Sequence, residues 1–204
     1  MNVVSIFDYG ICNLDSIARA VDVCGAKPVI VTKASEVKKT DRIILPGVGA
    51  FDKAMKKITT KGFDQAIFEE LDKRSIPLLG ICLGMQLLAD KSEEGNQCKG
   101  LGLIRGDVKL LKPIRNDERI PHIGWNSVEK RNDARLFQGI KSGTDFYFVH
   151  SYYFSCHESF VVGETPYCNS FPSAVCKKNI MGVQFHPEKS QRAGFSLLKN
   201  FLSI

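Results

Sequence analysis

Through roughly the first ninety residues, short apolar runs alternate with stretches whose apolar positions recur at helical spacing. Val3–Phe7 is an apolar run that ends at Asp8-Tyr9-Gly10. Over residues 13–24, Leu14, Ile17, Ala18, Val21 and Val23 fall close to helical spacing, and Gly25 ends the segment. Residues 28–31 and Arg42–Leu45 read as second and third strands, the latter running into Pro46-Gly47-Val48-Gly49-Ala50-Phe51. Helices are expected over 52–58 and Phe63–Arg74. The run 76–79 reads as a buried strand, followed by a helical stretch carrying Leu83, Gln86, Leu87 and Asp90. This rhythm predicts a parallel sheet covered by helices on both faces.

The second half changes character. Residues 91–100 are polar and turn-like. Short strands are expected at 108–111, 125–128, 146–149, 160–162, 174–176 and 180–184, and an apolar-faced helix at 195–201. These read as strand additions and loops packed on the same core. The expectation is therefore one domain over residues 1–204, with no internal repeat and no low-complexity segment.

Composition narrows the class. At 204 residues, 44% of them hydrophobic and 25% charged, the chain is long enough and apolar enough for one good-sized globular core. The net charge is +6, but Lys and Arg are scattered and no basic run is interleaved with aromatics, so no nucleic-acid partner is expected. The apolar start is short and lacks a basic flank, so it reads as a strand and not a signal peptide. No stretch is long enough to span a bilayer, and no membrane partner is expected. Seven cysteines, none in a Cys-x-x-Cys, point to a reduced cytoplasmic setting with no metal site.

Chemistry concentrates at Gly80-Ile81-Cys82-Leu83-Gly84, between a strand and a helix. A cysteine on such a tight turn, with small neighbours on both sides, reads as a nucleophile elbow. There the helix start favours a thiolate. The alternative is a buried structural cysteine. His186-Pro187-Glu188 follows another strand and offers a base with its orienting carboxylate; the alternative is a surface turn with a solvated acid. Pro46-Gly47-Val48-Gly49 can aim backbone N–H groups at an oxyanion, and the N–H of Leu83 is a second donor.

Further stretches extend the pattern along the chain. They are Asp8-Tyr9-Gly10, Pro121-His122-Ile123-Gly124-Trp125-Asn126, Val149-His150-Ser151-Tyr152 and Gly182-Val183-Gln184-Phe185-His186-Pro187-Glu188. With the elbow and the glycine turn, they make the chain resemble the class I (triad) glutamine amidotransferases. Within that family it is most similar to the glutaminase subunits of the imidazole glycerol phosphate synthases of histidine biosynthesis. The resemblance implies an α/β, flavodoxin-like, mixed but mostly parallel sheet with helices on both faces. It implies that Cys82 attacks the side-chain amide of glutamine, that His186 moves the proton, and that Glu188 orients His186. It places Gly47, Val48, Gly49 and Leu83 at the oxyanion, and Gln86, Glu93, Ser151 and Tyr152 around the glutamine, with Glu93 matching the ammonium by charge.

The same resemblance implies no metal and no cofactor. It implies a (β/α)8-barrel cyclase/synthase subunit as partner in a heterodimer, which takes the ammonia to make imidazole glycerol phosphate and an aminoimidazole carboxamide ribotide. The glutaminase is then expected to be poor alone. The apolar, aromatic loop at 121–126 is read as partner contact or core packing. Cys12-Asn13 and Phe154-Ser155-Cys156 depart from the family pattern. They leave open a sister group that supplies ammonia for surface-polysaccharide or glycan sugars. An intact Cys82, His186 and Glu188 argues against a catalytically silent binding module.

Overall fold

The computed structural model describes residues 2–95 and 97–204, with backbone only at 38 and 39. Met1 and Asn96, at the edge of the first expected strand and inside the expected polar turn, lie outside the described residues. The elements run β1 (Val3–Phe7), α1 (Leu14–Val23), β2 (Lys27–Val31), β3 (Arg42–Leu45), α2 (Phe51–Thr60), α3 (Phe63–Arg74), β4 (Leu78–Ile81) and α4 (Leu83–Gln86). Then follow β5 (Lys91–Ser92), β6 (Cys98–Lys99), β7 (Gly106–Leu110), β8 (His122–Lys130), β9 (Thr144–His150) and β10 (Tyr152–Cys156). The chain closes with β11 (Val161–Thr165), β12 (Phe171–Lys177), β13 (Ile180–Val183) and α5 (Gln191–Ser203).

The main sheet has nine strands in the order β2-β1-β3-β4-β13-β12-β11-β8-β9. From β2 to β13 neighbours are parallel, and from β13 to β9 they are antiparallel. The central parallel strands β1, β3, β4 and β13 are mostly apolar at successive positions because both faces are covered, whereas the edge strand β2 is only partly buried. Their side chains alternate between two cores. Ile6, Ile44 and Leu79 pack with Ile17 and Val21 of α1 and with Leu197 and Phe201 of α5. Phe7, Ile43 and Leu78 pack on the other face with Phe51 and Ile58 of α2 and Phe63 of α3. The sheet order reverses between β1 and β3, and open α/β sheets bind ligands outside the carboxyl ends of their strands at such a point.

Three expectations are corrected. The helix after the elbow stops at Gln86. The carbonyls of Leu87, Leu88 and Ala89 are taken by the N–H groups of Leu101, Leu103 and Gly102, which pulls the chain out of the helix. Residues 91–100 are not merely a turn. They contain β5 and β6, which join β7 and β10 in a second, four-stranded sheet. Two-residue strands are too short to carry an alternating pattern. From His122 onward the segment 121–126 is strand and not loop. Along β8 His122 is buried, whereas Ile123 and Trp125 are exposed on the opposite face.

Candidate active site

Cys82 sits between β4 and α4 with φ 54° and ψ −111°. A non-glycine residue at positive φ is strained, and the surroundings must impose it. Here they do. A Cβ on Gly80 would lie 2.5 Å from the Gly84 carbonyl oxygen, and one on Gly84 would lie 1.7 Å from the Leu45 carbonyl oxygen. Only glycine at both flanks lets the turn fold this tightly against the end of β3. The Cys82 N–H is anchored to the Val183 carbonyl at 2.8 Å, and its carbonyl accepts from Met85 N at 3.0 Å. The sulfur lies 3.8 Å from the Val149 carbonyl and 3.8 Å from the Gln184 Nε2.

His186 follows β13, the strand beside β4. Its Nδ1–H donates to Glu188 Oε1 at 2.8 Å, with side-chain exposures of 4% and 1%. Its backbone N–H is fixed on the Tyr147 carbonyl at 2.9 Å, and its carbonyl accepts from the Ser190 hydroxyl at 2.6 Å. Among the described residues, the buried Nε2 has no hydrogen-bond partner, and neither has Glu188 Oε2. Burial works against the charged imidazole, but Cys82 and Glu188 outweigh it and raise the His186 pKa to about 10. The alternative of a surface turn with a solvated acid is thereby excluded.

A cavity of about 260 Å³ opens on the sulfur. Val48, Gly49, Leu83, Gln86, Ser151 and Tyr152 line it together with Cys82. Of the eight residues expected at the oxyanion or substrate, the cavity wall thus holds six. Gly47 is not part of that wall; a Cβ there would meet the Tyr9 hydroxyl at 2.2 Å. Tyr9 is fully buried and donates to the Pro46 carbonyl at 2.5 Å, which fixes the start of the turn. Glu93 is the clear miss. Its carboxylate accepts from the Leu110 N–H at 3.2 Å, and the neighbouring Glu94 lines the cavity instead. Val48 is a second correction: its N–H donates to the Ile11 carbonyl at 3.1 Å and is not aimed at the sulfur. The Leu83 N–H opens α4, where first-turn N–H groups have no partner inside the helix.

A family profile for class-I glutamine amidotransferases matches residues 5–204. The chain is 42% identical over 201 residues to imidazole glycerol phosphate synthase subunit HisH 1 of Campylobacter jejuni (strain RM1221), covering 98% of this chain and 100% of the other. It is 44% identical to subunit HisH of Methanocaldococcus jannaschii, covering 98% and 99%. With subunit HisH of Moorella thermoacetica the identity is 47%, covering 98% and 94%. The chain belongs to the class I glutamine amidotransferases, in the HisH branch. Among solved structures, a glutamine amidotransferase superposes with TM-score 0.76 at 19% identity, covering 98% of this chain and 97% of that one. A chain of PurLQS from Thermotoga maritima superposes with TM-score 0.75 at 18% identity, covering 100% and 99%. These two establish the fold.

Three polar residues of this amidotransferase's site escape a reading of motifs. Glu94 caps α2 from a distance, its Oε2 accepting from the Phe51 N–H at 3.0 Å. Burial pushes its carboxyl pKa up, and the Phe51 N–H pulls it back down. Gln184 is fully buried beside the sulfur. His150 lines the cavity and donates from Nδ1 to the Tyr152 carbonyl at 2.8 Å. His150 and Gln184 fall within stretches that carry the family resemblance, and Glu94 is the neighbour of the expected Glu93, but none of the three was assigned a role from the sequence. A larger open groove, about 760 Å³, lies between β7 and the segment 155–160 and contains Cys156. Burial raises that thiol to about 11, which keeps it protonated and a poor nucleophile. Among the described residues, no helix is long and apolar enough to cross a membrane.

Proposed function

We propose that this chain is the glutaminase subunit of an imidazole glycerol phosphate synthase, with Cys82, His186 and Glu188 as its triad and residues 1–204 acting as one amidotransferase domain. The observation that carries the reading is the strained, glycine-flanked Cys82 beside a buried His186–Glu188 pair, in a chain 42–47% identical to three HisH subunits. The Cys82 sulfur bonds to the side-chain amide carbon of glutamine. His186 takes the thiol proton at Nε2. Because Cys82 and Glu188 favour its charged form, it carries that proton until the amide nitrogen leaves. The carbon–nitrogen bond breaks and ammonia departs with the proton. Water, losing a proton to His186, attacks the thioester; the carbon–sulfur bond breaks and glutamate is released as His186 returns the proton to sulfur.

Glu94 supplies the negative charge for the substrate ammonium in place of Glu93. Its Oε2 remains on Phe51, which leaves Oε1 for the ligand. Gln86, Ser151 and Tyr152 complete the wall. The Leu83 N–H serves the oxyanion, and the turn at Val48 must reverse, releasing Ile11, before a second donor faces the tetrahedral carbon. That reversal explains why a partner would be needed. The partner we infer is the (β/α)8-barrel cyclase subunit, which consumes the ammonia. Ile123 and Trp125 offer it an exposed apolar face, and Trp125 stacks edge-on against Tyr147, whose carbonyl holds His186. No metal or organic cofactor takes part.

The test is glutamate release from glutamine, by this chain alone and by its mixture with the barrel subunit and that subunit's ribotide substrate. A large rise on mixing, abolished by Cys82→Ala, is the expected result. No hydrolysis in the mixture overturns the assignment.

A further inference from the structure

A chain of hydrogen bonds runs from β8 to the Cys82 sulfur, and its ends set the direction of every link. The Tyr152 carbonyl can only accept. It takes the His150 Nδ1–H at 2.8 Å and one Gln86 amide hydrogen at 2.8 Å. With its proton on Nδ1, His150 accepts at Nε2 from the His122 Nδ1–H at 3.0 Å. His122 then accepts at Nε2 from the Asn126 Nδ2–H at 3.2 Å. The Asn126 amide is independently oriented, because its Oδ1 accepts from the Ser127 N–H at 2.8 Å. On the other side, the second Gln86 hydrogen goes to Gln184 Oε1 at 3.0 Å. That turns the Gln184 Nε2–H toward sulfur, at 3.8 Å.

All four side chains between Asn126 and the sulfur are buried: His122, His150, Gln86 and Gln184. Burial also holds both imidazoles neutral, with pKa values lowered to about 4 for His122 and about 3 for His150, so the chain persists at neutral pH. A merely satisfied pair of core histidines would need no such continuation. The stacking of His122 on Tyr167 and of His150 against Phe171 would suffice for packing. Here the links instead end on the reactive atom and use both amide hydrogens of a residue in the cavity wall. Gln86 is left with only its oxygen for a ligand, which favours a ligand that brings an N–H donor.

We propose that His150 is a positioning residue for glutamine hydrolysis, acting through Tyr152, Gln86 and Gln184 to keep an amide N–H on the Cys82 sulfur. The proposal rests on the glutaminase reading above. A donor on the sulfur stabilises it as it gains negative charge, and hydrogen bonds to charged acceptors are the stronger kind. Gln184 does not line the cavity, so its effect falls on kcat and not on KM.

The experiment measures glutamine kinetics in the complex with the barrel subunit. In parallel it measures the rate of Cys82 alkylation by iodoacetamide on this chain, followed by mass spectrometry, with folding checked by circular dichroism. Gln184→Met, close in shape but without a donor, is expected to lower kcat and the alkylation rate about tenfold with KM within about twofold. His150→Phe, which cannot donate to Tyr152, is expected to lower kcat about as much. His150→Asn, whose amide N–H can replace Nδ1–H, is expected to recover to within about threefold of wild type. Unchanged kcat and alkylation in Gln184→Met overturns the proposal, and so do equal losses in His150→Asn and His150→Phe. If the His150 variants do not fold, Gln184→Met decides alone. Alkylation needs no glutamine, so it still decides the proposal if the wild-type complex proves not to hydrolyse glutamine.

Discussion

Replacing Glu188 by Gln asks how much of the chemistry depends on the proton position in His186. The native carboxylate accepts from His186 Nδ1 at 2.8 Å through Oε1, and its buried Oε2 has no partner among the described residues. A glutamine side chain can enter in two orientations. With its carbonyl oxygen toward Nδ1, the tautomer survives but the NH2 group occupies the unpartnered place, at a cost of about 1–3 kcal/mol. With its NH2 toward Nδ1, the imidazole must accept there and carry its proton on Nε2. In that form His186 cannot take the Cys82 proton. The second orientation is thus favoured by about 10–100-fold. The variant also loses the charge that stabilises the imidazolium, worth about another 10–100-fold. Glutamate release at saturating glutamine in the complex should therefore fall about 10²- to 10⁴-fold.

Stability supplies an independent readout. The folded pKa of His186 is about 10, above the ordinary 6.5. A raised pKa contributes stability that is fully present below about pH 6.5 and is lost as the pH rises through about 10. The Glu188→Gln substitution removes one of the groups that raise it. The melting-temperature gap between wild type and Glu188→Gln should be widest at pH 6.5 and below, and should close toward pH 10. A kcat within about tenfold of wild type, together with a gap that does not vary with pH, would refute the roles given to this pair.

Three further outcomes are expected. Gly84→Ala would set a Cβ 1.7 Å from the Leu45 carbonyl oxygen, a backbone atom that cannot step aside, so denaturant unfolding should show a loss of more than about 2 kcal/mol. Tyr9→Phe removes the buried bond to the Pro46 carbonyl without leaving that oxygen partnerless, since the Cys12 sulfur stays 3.8 Å from it; the melting temperature should drop by about 2–4 °C. Glu94→Gln keeps an acceptor for the Phe51 N–H but loses the charge, so KM for glutamine should rise at least about tenfold with the fold intact, whereas Glu93→Gln should move KM less than about twofold.

The parallel half of the fold was legible because its strands are apolar at successive positions and its helices are amphipathic, which is the pattern that burial on both faces demands. Gly80 and Gly84 announced the elbow for a reason the structure bears out: no side chain fits at either position. The pairing of β3 with β4 brings the glycine turn beside the elbow, as an oxyanion role for that turn requires. The antiparallel half was legible only as strands. Its order depends on pairings such as His122 with His150, 28 residues apart, which no local pattern encodes. Glu93 and Glu94 are indistinguishable by charge and position in the chain, and only the turn after β5 decides which faces the cavity. The hydrogen bonds of Gln184 and His150 run across strands, so the sequence pattern assigned neither a chemical role. The choice between the histidine and sugar branches was not settled by Cys12 or Phe154-Ser155-Cys156, and the full-length similarity to HisH subunits carries it.

The division of the site between the two halves bears on how it would be switched on. Cys82 and His186 stand at the carboxyl ends of adjoining parallel strands that are buried on both faces, and moving either would disturb two packed cores. The oxyanion turn is held differently. Val48 is 40% exposed, and its N–H is turned away by one bond to the Ile11 carbonyl. A bond of this kind contributes about 1 kcal/mol net. A partner whose contacts distinguish the two settings of the turn by about 3 kcal/mol, the scale of one buried aromatic anchor, would shift their ratio more than a hundredfold. Ile123 and Trp125 are exposed to receive such contacts, and β8 leads inward from them through His122 to the sulfur. On the proposed reading, activation by such a partner would leave the triad in place and turn over only the Val48 turn, whose N–H is held by a single bond to Ile11.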